Sequence, residues 1–180
     1  GYLDYNHNGD KWSIKTAGAE RLEINNAGIA VTGGVAIGGT GAANTLSDYE
    51  TGSFTPTLYG TGTAGSPTYG AQVGYYTKVG NVVNCTIWIV TSALGGLDGS
   101  VRIGALPFTT SNSSDARSTV TAGYGAGLAI TAGTTLSGWV PENSTFIKLT
   151  NWDSAVGTTY LDDAEWSDDG AAMLSFTYRT

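Results

Sequence analysis

The chain has 180 residues, 27 of them Gly and 26 Thr, with only 13% charged residues and a net charge of −7. Gly costs about 1 kcal/mol per helical position and Thr also disfavours helix, which excludes a mostly helical fold. An apolar fraction of 41% with 11% aromatics excludes a disordered chain, and one Cys and one His exclude a disulfide framework, a thiolate zinc site and a multi-His metal site.

The same arithmetic narrows the partners. Phosphate backbones need clustered Lys and Arg, so an acidic chain argues against nucleic acid. No apolar run reaches about 18 residues, so no membrane insertion is expected. The chain begins Gly1-Tyr2-Leu3-Asp4 without Met or a leader pattern, which reads as a piece of something longer.

The first 47 residues read as a repetitive stem. Arg21-Leu22-Glu23-Ile24, Ile29-Ala30-Val31 and Val35-Ala36-Ile37 are short alternating pieces separated by Asn/Gly-rich runs such as Gly38-Gly39-Thr40-Gly41. Each carries two apolar residues two apart, which is strand spacing. None is long enough to stand alone as a strand pair. Ordering a residue costs roughly 1–2 kcal/mol of backbone entropy, and two small aliphatics per piece do not offset that within one chain. Several copies wrapped together would share a core, with Leu22, Ile24, Ile29, Val31, Val35 and Ile37 as interface candidates. The competing reading is a glycine linker.

Residues 48–180 read as an all-β head. In 81–91, Val83, Cys85, Ile87 and Ile89 share one face; Val101-Arg102-Ile103 follows a Gly-rich turn. Segments 118–122 and 128–130 flank the Gly123-x-Gly125-x-Gly127 break. This break lacks the helix of a dinucleotide fingerprint and the GK[ST] of a P-loop, and reads as a bulged connection. Segments 135–140 and 145–152 surround the turn Pro141-Glu142-Asn143-Ser144. In 171–179, Ala172, Leu174, Phe176 and Tyr178 alternate with Met173, Ser175 and Thr177. Such a series of strands and turns predicts a β-sandwich of jelly-roll type.

Two residue groups could carry function. Glu142, Asp153, Asp162, Asp163, Glu165, Asp168 and Asp169 are opposed in their stretch only by Lys148, so nearly all the net charge sits there. The segment reads as a solvated loop, a sugar or Ca²⁺ site, or a hydrolytic carboxylate pair such as Glu142 with Asp153 or Asp162 with Glu165. No EF-hand spacing is present, and no metal or cofactor is expected. Strand parity places Trp88, Trp139 and Trp152 opposite the small aliphatics, and a sandwich strand has one inward face. An outward Trp serves an oligomer interface, a sugar platform, or a second core layer. Trp88 is the interface candidate. Trp139, Trp152, Asp153, Asp162, Asp163 and Trp166 are the sugar candidates, because they set aromatic faces beside acceptors.

Several segments carry a family likeness. Residues 46–58, LSDYETGSFTPTL, resemble the LDDYEEGTWTPTL junction that opens a C-terminal module in tail-fibre proteins of tailed bacteriophages. Residues 72–83, QVGYYTKVGNVV, are similar to that module's QxGxYTKIGNxV strand, and residues 103–108, IGALPF, to its IxGLPF element. Ser47 and Phe54 depart mildly from the pattern. The resemblance implies a homotrimeric, non-enzymatic tip at the distal end of a virion tail fibre. Its short intertwined β stem (1–47) would lead into a β-sandwich head (48–180) that binds bacterial surface polysaccharide or lipopolysaccharide. A polysaccharide depolymerase and a purely structural trimer cap are the alternatives.

Overall fold

The computed structural model describes every residue except Thr40 and Ser47, and Ala43 without its side chain. Thr40 of the expected Gly-rich separator and Ser47 at the expected boundary therefore lie outside the described residues. Among the described residues strand accounts for 62% and helix for 5%, as the Gly and Thr content demands. The chain divides into two compact units, Gly1–Tyr49 and Glu50–Thr180.

The first unit is an antiparallel meander of β1 (Tyr2–Asn6), β2 (Lys11–Thr16), β3 (Ala19–Asn25) and β4 (Gly28–Val31), in that spatial order. A small ladder pairs β5 (Val35–Ala36) with β6 (Thr45–Leu46). The strands β1 and β2 extend the expected stem pattern toward residue 1. Register sorts the side chains sharply. Leu3, Ile14, Leu22 and Val31 form one row across all four strands, and Tyr5, Trp12, Ile24 and Ile29 form the next on the same face. The opposite face is ionic. Lys11 bridges Glu20 at 3.3 Å and Glu23 at 2.8 Å, Ser13 donates to Glu20, and Lys15 pairs with Asp4. The Lys11 ammonium holds the Glu23 carboxyl at about 2.

The second unit is one antiparallel sheet. Its strands are β7 (Tyr49–Phe54), β8 (Thr57–Gly60), β9 (Thr68–Val79), β10 (Val82–Ala93), β11 (Val101–Gly104), β12 (Ser118–Leu128), β13 (Thr135–Val140), β14 (Ile147–Asp153), β15 (Gly157–Tyr160) and β16 (Trp166–Arg179). Their order is β7-β9-β10-β16-β12-β13-β14-β11-β8, with β15 paired to β14. The first and last strands of this order are joined in sequence by Thr55-Pro56 alone, so the sheet must curl until its two edges approach each other. The expected sandwich is therefore realised as one curled sheet around one core.

The expected alternation decides which face closes inward. Val83, Cys85, Ile87 and Ile89 of β10 and Ala172, Leu174, Phe176 and Tyr178 of β16 are buried together with Leu58, Ile103, Ile147 and Leu149. Burial also raises the Cys85 thiol to about 12, leaving it an inert core group. Strands β9 and β10 meet at the two-residue turn Gly80-Asn81, where Gly80 adopts φ +58°, a conformation that costs glycine little. The glycine break expected after Ala122 is a continuous strand, β12, whose register slips at Ala122/Tyr124 and Ala126/Leu128. Bulges let one long strand bend with the curled sheet.

Candidate ligand-binding surface

Several carboxylates of the acidic segment hold the fold together. Asp162 caps the short 3₁₀ turn Asp163–Glu165, and Glu165 reaches back to accept from the Asp162 amide at 2.9 Å. This is a reciprocal capping arrangement. Glu165 also accepts from Asn151 Nδ2 at 2.6 Å, and Asp163 accepts from the Gly99 amide at 2.9 Å. Asp153 accepts from Ala155 N at 2.7 Å, within its own turn. Asp153, Asp162 and Asp163, three of the sugar candidates, thus each accept from a backbone amide of the fold. Glu142 is bound by Arg117 through two hydrogen bonds, of 2.9 and 3.1 Å. Among the described residues no three His, Cys, Asp or Glu side chains gather as a metal site.

Trp166 corrects one expectation. It is 1% exposed and belongs to the core, so its ring offers no face to a sugar. The cause is its phase: it begins β16 and shares the inward parity of Ala172 to Tyr178. Its indole Nε1 donates to Thr91 Oγ1 at 3.0 Å. Thr91 in turn donates to the Gly170 carbonyl at 3.1 Å.

Trp88, Trp139 and Trp152 do face outward. Trp152 is 56% exposed. Trp88 belongs to a transverse row, Val73-Trp88-Met173-Tyr124, on the outer face of β9, β10, β16 and β12. Val73, Trp88 and Met173 of this row, with Tyr75, border an apolar depression of about 450 Å³. In the first unit, Ile24, Ile29, Val31, Val35 and Ile37 are exposed and Leu22 is half-buried.

Around Trp139 the structure brings together residues that sequence reasoning did not collect. Register sets Thr119, Trp139, Lys148, Arg102 and Tyr59 side by side across β12, β13, β14, β11 and β8. Lys148 Nζ lies 4.5 Å from the Trp139 ring centre and 5.6 Å from that of Tyr160. The Arg102 guanidinium lies 4.7 Å from the Phe146 ring centre, and the Arg117 guanidinium 5.6 Å from that of Trp139. Tyr59 meets Phe146 edge-on at 6.5 Å. Two adjacent cations, Lys148 and Arg102, are therefore flanked by rings along the sheet, each cation held by a π face. Alternation through residues 146–152 already grouped Phe146, Lys148 and Trp152. The partners from β11 and β13 needed the register.

The Arg117 pair also sets a titration. Its guanidinium holds the Glu142 carboxyl at about 2, from an ordinary 4.5, chiefly through the side-chain hydrogen bonds. A depressed carboxyl contributes to stability above its unfolded value and loses that contribution as pH falls toward the folded one. The contribution of such an exposed pair is small. The titration itself is the cleaner readout: carboxyl-detected NMR should place the Glu142 midpoint near 2, and Arg117→Ala should return it toward 4.5. An unmoved midpoint in the variant would remove Arg117 as the cause.

No protein-family model matches the chain, and no curated protein matches it in sequence. Among solved structures, the crystal structure of Dettilon tailspike protein (gp208) is similar in fold, with a TM-score of 0.62 at 21% identity. The match covers 73% of this chain and 24% of that one, so the chain spans about a quarter of that protein's length. Over that span, the chain shares its fold with part of a tailspike protein.

Proposed function

We propose that the chain is the host-recognising part of a bacteriophage tail protein, working as a homotrimer at the distal end of the tail. It binds a bacterial surface glycan without cleaving it. The observation that carries the assembly is the inverted burial of the first unit. Its ionic face shelters Ser13 to 2% exposure, while Ile29 on the apolar face is 69% exposed. A sheet with two complete apolar rows open to water is half of an interface, and further copies of the chain supply the rest. The tailspike fold likeness and the tail-fibre-like motifs support the phage setting.

Binding without hydrolysis is supported by the state of the carboxylates. Glycosidases place two of them across a cleft, whereas Glu142 is bound by Arg117, and Asp153, Asp162 and Glu165 hold turns. Three equivalent sites would turn weak contacts into firm attachment through effective concentration.

Two measurements test this reading. Sedimentation of the purified chain should give the mass of three copies, and a single-chain mass at micromolar concentration would overturn the assembly. The chain should also compete with intact phage for adsorption to host cells, leaving the polysaccharide uncut. A non-competing trimer would make it a structural cap, and new reducing ends would make it a depolymerase.

A further inference from the structure

Resting on the glycan reading above, we propose that the row built on β11, β13 and β14 is an anion-selective sugar site. Arg102 and Lys148 take the acidic group of a carboxylate- or phosphate-bearing glycan, and Trp139, Phe146 and Tyr160 flank the sugar ring.

Charge placement is the first argument. The chain carries only eight Lys and Arg against fifteen Asp and Glu, so a cation could readily have found a carboxylate. Arg117 has Glu142, and Lys78 is 3.9 Å from Glu50. Among the described residues, Arg102 and Lys148 make no ion pair within 4 Å, and Lys148 reaches a carboxylate only as a distant charge that helps lower Glu142. Both are half-buried, both lie against aromatic faces, and they stand directly opposite each other in the β11–β14 register.

That register is the second argument. Like charges directly opposite on neighbouring strands repel and destabilise a sheet. A bound anion between them reverses the sign of that interaction. The two side chains also line, with Thr61, Ser100 and Tyr160, a depression of about 150 Å³, which has room for a carboxylate or phosphate group. Ring faces held by cations keep both side chains in place before the ligand arrives, which lowers the ordering cost of binding. A neutral glycan would use the rings and leave the paired cations without purpose.

The test uses the whole chain and three probes: a galacturonic acid oligomer, a hexose 6-phosphate and a neutral malto-oligosaccharide of similar length. Calorimetry should show binding of at least one acidic probe and not of the neutral one. The two acidic arms distinguish carboxylate from phosphate. Arg102→Gln and Lys148→Gln should each weaken acidic binding by about tenfold or more, and salt should weaken it in the unmodified chain. Without ligand, the same substitutions should leave the thermal midpoint unchanged or raise it, because they relieve a like-charge contact. A fall would mark the two cations as structural. No acidic binding, equal neutral binding, or acidic binding untouched by both variants overturns this site. Each of these leaves the receptor reading to the adsorption assay. Failure of the unmodified chain in that assay sinks the receptor reading, while the probes still decide the anion site.

Discussion

Trp166→Ala is expected to destabilise the second unit by about 3–5 kcal/mol, the range for deleting a large aromatic from a packed core. The ring is 1% exposed and sits among core residues of several strands. The glycine at position 170 lies against it, and a Cβ there would strike the indole. The substitution thus opens a cavity that a sheet pinned on both sides cannot readily close. It also removes the indole donor from Thr91 Oγ1, although Thr91 still donates to the Gly170 carbonyl. Trp166→Phe separates the two effects: it keeps much of the volume and loses the donor, at about 1–2 kcal/mol. Urea unfolding measures both. A loss below about 1 kcal/mol for the alanine variant would contradict the burial described.

The second large effect concerns assembly. Ile14→Lys with Ile24→Lys puts two charges on the adjoining apolar rows of the meander. Both positions are 43% exposed in the single chain, so the isolated unit should feel little, within about 0.5 kcal/mol per site. In an assembly that covers the face, each ammonium would lose its water without gaining a partner, at several kcal/mol. Three copies multiply the penalty. The expected result is a trimer converted to a monomer whose second unit still melts cooperatively. A trimer that persists in the variant would show that copies meet through another face. The row of Val73, Trp88, Met173 and Tyr124 would then be the next to substitute.

The two kinds of strand differed in how clearly the sequence showed them. Strands β10 and β16 were legible because every second residue is aliphatic or aromatic, and those residues form the core. Strand β9 has no such pattern. Its inner positions, Gln72, Gly74, Tyr76 and Lys78, mix polar and small residues, and only its motif resemblance marked it. In β1 and β2 the spacing of Leu3, Tyr5, Trp12 and Ile14 was present, but the polar run Asn6-His7-Asn8-Gly9-Asp10 between them carries no apolar signal that joins the two. Trp166 carried a usable signal, since the inward parity of β16 continues upstream to it. The acidic composition around it suggested a solvent-facing loop instead.

The site followed the same division. Strand parity sufficed to turn Trp88, Trp139 and Trp152 outward. It could not say which acids would be consumed by backbone amides, because that depends on turn geometry, although Asp162-x-x-Glu165 has the spacing of a capping box. The meeting of Arg102, Trp139 and Lys148 depends on pairings between segments tens of residues apart. No local pattern encodes such a register.

Strand β16 is the latest of the sheet's strands in the chain, yet it lies between β10 and β12, near the middle of the sheet. During synthesis the ribosome delivers β7 to β15 before the strand that joins their two groups exists. Val82 waits for Arg179, and Val120 for Phe176. Domains can fold only as their parts emerge, and late long-range pairings are slow. The nascent sheet therefore holds two groups of strands with open edges until β16 inserts. A product truncated before Trp166 would lack the central strand rather than a dispensable edge, and would expose both groups to chaperones and proteases.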